Sequence, residues 1–251
     1  MGPVEDGHYA LKQLRCPSRV IAWGHGARFR SALALAGTHD GRLLDYGCGD
    51  GTFLGMVASR WTHCVGADVE AGQLDDCRRR FAGVPNVHFL ATGELAATEH
   101  RSAYALVVCM ETLEHCPAPA VETVLDDLER CVHPDGRVII SVPVETGPAF
   151  VLKYAARTLA ARRGLSDYRH YERYSVRDAL RMIFATPRTT FDRPIYGPPT
   201  LPSHTHYGFN WRQLRDRVAT RFRLDRVQFS PINLPGGWLA SQAWLVCRPR
   251  P

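Results

Sequence analysis

The chain is predicted to be an α/β protein on a doubly wound parallel sheet, and three observations carry that prediction. Short apolar runs, such as Tyr104-Ala105-Leu106-Val107-Val108-Cys109, alternate with stretches of helical spacing and similar length. The first run, Leu43-Leu44-Asp45, passes straight into a turn with glycines at alternate positions, Gly47, Gly49 and Gly51, and helical spacing resumes at Thr52. A second short run, His63-Cys64-Val65-Gly66-Ala67-Asp68, ends on an acid. Asp68 follows the glycines by about twenty residues, the interval at which such folds place a ribose-binding carboxylate.

Bulk composition sets limits on this reading. At 251 residues, 45% hydrophobic and 22% charged, the chain fits one α/β domain with an insertion. No apolar run approaches the roughly 20 residues of a membrane span. The N-terminus shows no charged-then-apolar secretory pattern, so a soluble, cytoplasmic protein is expected. The eight cysteines include no C-x-x-C pair and sit mostly in apolar contexts, so they are read as buried free thiols; no metal ligand is assigned. Net charge is +6, but residues 1–150 carry −6 and residues 151–251 carry +12. Two explanations stand beside each other: an anionic partner for the basic portion, or an arginine-rich composition, since only Lys12 and Lys153 are lysines.

In chain order, residues 1–40 form a predicted helical cap, because Val20, Ile21, Trp23, Phe29, Leu33 and Leu35 recur at roughly helical spacing. Trp23, His25 and Arg28 fall within two turns, placed either to close over a ligand at the glycine turn or simply to pack on the sheet. Residues 41–251 are read as the main domain. Its helix 52–60 follows the glycine turn, and free N–H groups at that helix start suit a carboxylate or phosphate. Strand 63–68, helix 71–81, strand 87–91, strand 104–109, a helix ending at Cys131, a turn at His133-Pro134-Asp135-Gly136 and strand 137–142 complete the alternation. An insertion at about 145–205 holds a basic helix over 150–163, an aromatic and titratable segment at 168–175, and a proline-rich loop ending in His204-Thr205-His206-Tyr207. Such a basic helix can rest on a membrane surface or cover an anionic substrate. Helix 210–221 and two closing strands, 224–229 and 238–247, follow; with no helix between them, those strands are expected to be antiparallel neighbours.

The motifs together resemble the class I S-adenosylmethionine-dependent methyltransferases, in their small-molecule branch. Asp45-Tyr46-Gly47-Cys48-Gly49-Asp50-Gly51 resembles the first motif of that family. Cys109-Met110-Glu111-Thr112-Leu113-Glu114-His115 resembles the segment after strand four, and His133-Pro134-Asp135-Gly136 resembles the turn before strand five, with Asp135 where glycine is usual. The resemblance is strong over residues 40–145. His170 to Ser175 is similar to a histidine and aromatic segment of the small-molecule branch. The resemblance implies a Rossmann-like seven-stranded sheet with the last strand antiparallel and S-adenosyl-L-methionine as cofactor. Asp45, Gly47, Cys48 and Gly49 would line its methionine portion, Asp68 and Val69 the ribose, Thr92 and Gly93 the adenine, and Met110 and Glu111 the sulfonium. An acid at Asp68 argues against a 2′-phosphorylated dinucleotide.

Methyl transfer from a sulfonium needs the acceptor oriented and its proton removed. Histidine is the obvious base at neutral pH. His170 and His204, both in the insertion, are the leading candidates, with Glu111 as an alternative; His115 is read as holding its loop. Trp23, His25, Arg28, Tyr171 and His206 are expected to line the acceptor pocket. No N-P-P-Y signature of base or glutamine methylation and no RNA-binding module is present, so a small-molecule acceptor leads, a hydroxyl of a sugar, lipid-linked or natural-product substrate. The rivals are an RNA methyltransferase that uses the basic C-terminal portion and a non-catalytic cofactor-binding protein.

Overall fold

In the computed structural model, which describes residues 7, 9, 19–162 and 174–250, the elements run α1 (Arg19–Ala36), β1 (His39–Tyr46), α2 (Thr52–Val57), β2 (Trp61–Asp68), α3 (Ala71–Arg80), β3 (Val87–Ala91), β4 (Tyr104–Met110), α4 (Ala118–Cys131), β5 (Val132–Pro143), α5 (Pro148–Arg162), α6 (Val176–Ile183), β6 (Ile195–Tyr196), β7 (Ser203–His204), α7 (Trp211–Arg221), β8 (Phe222–Ser230) and β9 (Gln242–Pro249). Seven strands make one sheet in the order β3-β2-β1-β4-β5-β9-β8, while β6 and β7 form a separate short hairpin. The five strands β3 to β5 are parallel, and β9 runs antiparallel to both β5 and β8. This is the expected doubly wound sheet, with antiparallel pairing confined to the closing strands.

Helices cover both faces, which is why the central strands are apolar on successive residues rather than on alternate ones. Leu43 packs with Phe29, Leu54, Val57, Leu74, Leu106 and Trp244 on the face covered by α1, α2 and α3. Leu44 and Tyr46 pack on the opposite face with Leu125, Leu128, Trp211, Val218 and Phe222 from α4, α7 and β8. The α4 stripe of Val121, Val124, Leu125, Leu128 and Cys131 is buried, as its spacing predicts.

The structure corrects several expectations in detail. The helix after the glycine turn has six residues and gives way to a 3-10 turn over Ala58–Arg60. Of the N–H groups at its start, that of Thr52 is met within the turn, donating to Asp50 Oδ1 at 3.1 Å. Residues 133–136 are not a turn before β5 but lie within it. Val132 pairs with Tyr104, Arg137 pairs with Leu106, and the ladder slips between them as a bulge. The last strand begins at Gln242 rather than 238, because 235–237 form a 3-10 turn and Trp238 stands exposed. Of the eight cysteines, the seven described ones are free thiols. No described helix is long and apolar enough to cross a membrane.

Candidate cofactor and acceptor site

Strand order reverses at β1 and β4, and a crevice opens outside their carboxyl ends at such a switch point. The glycine turn lies at one lip and the segment 110–115 at the other. Gly47 and Cys48 N–H both donate to Ala67 O, at 2.7 and 3.1 Å, which ties the turn to the end of β2. Gly47 has φ +74°, and a Cβ there would run into the Thr112 side chain. This glycine is therefore required by the neighbouring loop of the protein itself. At Gly49, φ +53°, an added Cβ would meet nothing closer than Gln73 Oε1 at 3.5 Å; that position is open toward the crevice.

Asp68 ends β2 and is buried. Its Oδ2 accepts from Gly49 N–H at 2.8 Å and its Oδ1 from Glu70 N–H at 3.0 Å. A carboxylate oxygen carries two lone pairs, so each oxygen keeps one for a ribose hydroxyl. Val69 beside it is 59% exposed, an apolar surface at the rim that suits a nucleobase. Asp45 is only 2% exposed, and no group among the described residues donates a hydrogen bond to it. Burial, then the charges of Asp68 and Asp50, push its carboxyl up to about 8. A cationic ammonium such as the expected cofactor carries would supply the missing partner. The donor set thus fits that cofactor on this chain's own geometry.

Across the crevice, Glu111 leaves β4 with φ +52°, in the left-handed region that side chains rarely adopt. Its N–H donates to Ser141 O at 2.9 Å and its Oε1 accepts from Ser141 Oγ at 3.1 Å. Its Oε2 lies 3.3 Å from Arg28 Nη1 of α1, and both side chains are largely buried. Arg28 also donates to the Tyr9 hydroxyl, which is 2.5 Å from His25 Nδ1; Tyr9 N–H in turn donates to Asp50 Oδ2 in the glycine turn at 2.7 Å. The N-terminal segment is in this way laced to both lips. Burial, then the charges of Arg28 and Lys153, lower His25 to about 4, so its ring is neutral at physiological pH.

The insertion returns to the same place. His204 N–H donates to His115 O at 2.8 Å, and His115 Nδ1 is 2.9 Å from His204 O. Arg193 clamps the two loops, donating to the carbonyls of Glu114, Thr205 and Tyr207. Glu114 is 0% exposed, and neither carboxylate oxygen has a hydrogen-bond partner. Burial and the Glu111 charge push it well above the usual carboxylate range. Burial lowers His115. His206 Nδ1 stands 3.4 Å from Oε1 of Glu145, which Lys153 Nζ also reaches at 2.9 Å. Phe150, Tyr154, Tyr174 and Tyr207 cluster together, Tyr174 edge-on to Phe150 and Tyr154 and stacked on Tyr207 at 4.7 Å.

The structure brings together Asp45, Gly47, Cys48, Gly49, Asp68 and Val69 at one lip, and Met110, Glu111, His115 and His206 with His25 and Arg28 at the other. Thr92 and Gly93 follow β3 in a 3-10 turn, Gly93 exposed. Trp23 is 52% exposed on α1. The His204 ring turns away, its Nδ1 2.8 Å from Pro194 O, so only its backbone engages His115. His170 and Tyr171 lie outside the described residues. Sequence reasoning passed over Glu114, Glu145 and Arg193 as site residues. The i, i+3, i+4 spacing of Glu111, Glu114 and His115 directly after a strand was the available signal for the first; the other two depend on long-range closure of the insertion.

Residues 43–136 match the family model described as a methyltransferase domain. A ubiquinone biosynthesis O-methyltransferase of Aeromonas salmonicida is 36% identical over 121 residues, covering 44% of this chain and 47% of that protein. One of Pseudomonas aeruginosa is 31% identical over 147 residues, covering 56% and 62%. The chain thus spans about half the length of the curated relatives it matches. The crystal structure of the PH0226 protein of Pyrococcus horikoshii superposes over 100% of both chains with a TM-score of 0.57 at 12% identity, which is a likeness of fold.

Two outcomes follow from the turn and its acid. Gly47→Ala should lose about 1–3 kcal/mol of unfolding free energy in urea, and Thr112→Ala in the same chain should recover part of it by removing the clash. Asp45 has a raised folded pKa, so between about pH 4 and 8 the folded state binds more protons than the unfolded one, and stability falls as pH rises through that window. Asp45→Asn should therefore be more stable than the ligand-free wild type at pH 8, by on the order of 1–3 kcal/mol. The gap should close toward pH 4, as followed by urea unfolding across the series.

Proposed function

We propose that this chain, whose residues 43–136 match the family model described as a methyltransferase domain, transfers the methyl group of S-adenosylmethionine to a hydroxyl of a small molecule held between α1 and the loop 203–208. The observation that carries the reading is the pairing across the switch point. A buried carboxylate, Asp68, accepts from the Gly49 N–H at the end of β2, and a strained, fixed carboxylate, Glu111, stands on the opposite lip. The O-methyltransferase names of the relatives support oxygen as the accepting atom.

When bound, the cofactor supplies a methyl carbon already activated by its sulfonium. The protein's share is then orientation and the acceptor's proton. Asp68 grips the ribose, Val69 covers the base, Asp45 takes the ammonium, and Met110 and Glu111 border the reacting end. Glu111 cannot swing, because Ser141 and Arg28 hold both oxygens. It accepts a hydrogen bond from the acceptor hydroxyl and sets the angle of attack. The neutral imidazole of His25 and the aromatic column of Tyr174 and Tyr207 form the walls. The insertion, read as 145–205 and reaching His206 here, covers the acceptor.

Incubation with methyl-labelled cofactor and a panel of phenolic, catecholic and sugar hydroxyls tests the proposal. Labelled methyl ether should form with at least one acceptor, and Glu111→Gln should lower kcat by about 100-fold or more while cofactor affinity persists. Absence of labelled product across the panel would sink it.

A further inference from the structure

Glu114, His115 and His206 each present one ligand atom within 4.8 Å of the others. Glu114 comes from the segment after β4, fully buried and without a hydrogen bond to either oxygen. A structural carboxylate in this position would have recruited donors, since burying an unpaired one costs several kcal/mol. His115 Nε2 stands 3.8 Å from Glu114 Oε1, a separation too long for a hydrogen bond. It is close to the spacing of two ligands on one cation, about 3–3.5 Å for metal–ligand distances near 2.1 Å.

The imidazoles are oriented by outer partners. With His115 Nδ1–H donated to His204 O, the ring turns its Nε2 lone pair toward Glu114. His206 is backed by the Glu145 carboxylate, itself 1% exposed and held by Lys153. An imidazole backed by a carboxylate or a carbonyl is the usual outer shell of a metal-ligating histidine. Arg193 supplies the mechanical link, bonding carbonyls on both ligand-bearing loops without touching the ligand atoms.

We propose that Glu114, His115 and His206 bind one divalent cation beside Glu111, on the acceptor side of the crevice. One carboxylate and two imidazoles favour borderline transition ions such as Zn²⁺, Co²⁺ or Mn²⁺ over Mg²⁺ or Ca²⁺, and three protein ligands leave positions open for a substrate oxygen. The site itself stands on geometry; its role rests on the reading of the chain as a hydroxyl methyltransferase. In that role the cation binds the acceptor oxygen and eases loss of its proton to water. An oxygen lone pair forms the new O–CH₃ bond, the S–CH₃ bond breaks, and its electron pair stays on sulfur, leaving a neutral thioether.

Co²⁺ titrated into untagged, chelator-stripped protein, without cofactor or acceptor, tests the site by calorimetry and visible absorption. The wild type should bind one equivalent with ligand-field bands of a nitrogen- and oxygen-ligated ion. His115→Ala and His206→Ala should each weaken binding by at least about 100-fold, and the outer-shell variant Glu145→Gln by about tenfold. Glu114→Gln should abolish the thermal shift caused by Co²⁺ yet melt no lower than wild type without metal, because no hydrogen bond is lost. No stoichiometric binding by the wild type, or unchanged binding in the histidine variants, would overturn the site. With Co²⁺ bound as expected, methyl transfer at the same rate with and without chelator would overturn the catalytic role alone. Absence of any transfer would count against the methyltransferase reading and leave the cation site standing.

Discussion

The left-handed backbone at Glu111 is the constraint on which the crevice depends. A non-glycine residue at φ +52° costs on the order of 1–3 kcal/mol and persists only where its surroundings over-determine it. Here three elements do so: β5 through the two bonds to Ser141, β4 through the strand that Glu111 leaves, and α1 through Arg28. Because the turn is fixed, the next four residues have no freedom to choose their sides.

Thr112 is thrown against Gly47, so the glycine turn and the segment after β4 must fit each other before any ligand arrives. Glu114 is driven inward with no partner, and His115 is turned to meet the returning insertion at His204. The desolvated Arg28–Glu111 pair is weak evidence of stability in its own right, since desolvation offsets most of the attraction. Its consequence is positional. It joins the N-terminal helix to the reacting lip, while Tyr9 and Asp50 join the same segment to the cofactor lip.

Local pattern made the sheet legible. The runs at 43–45, 64–68 and 104–109 are almost wholly buried, so apolar continuity marks them, while the edge run 87–91 is only partly covered; Asp68 and Glu111 were visible as polar residues ending such runs. Elements decided by long-range packing were misjudged. The bulge at 133–136 depends on the slip in pairing between β4 and β5, and α2 ends early because its last turn tightens to 3-10 geometry over Ala58–Arg60 before β2. At the site, Gly47 was expected to line the cofactor, and no sequence signal showed that its missing Cβ also accommodates the Thr112 side chain. His204 was placed in the right loop, but ring orientation follows from Pro194, ten residues away, and no periodicity encodes it. Glu114 was quoted inside a motif without a role, because only its burial without a donor sets it apart from a solvated acid.

We propose that the carboxyl edge between β1, β2 and β4 is a nucleoside-sulfonium site gripped by Asp68. Calorimetric titration of S-adenosylhomocysteine into the purified protein tests it most directly. Single-site binding is predicted, weakened by about tenfold or more in Asp68→Ala, the equivalent of two lost hydrogen bonds. Asp68→Asn, which keeps one accepting oxygen, should fall between. Affinity unchanged in Asp68→Ala would contradict that placement of the ribose.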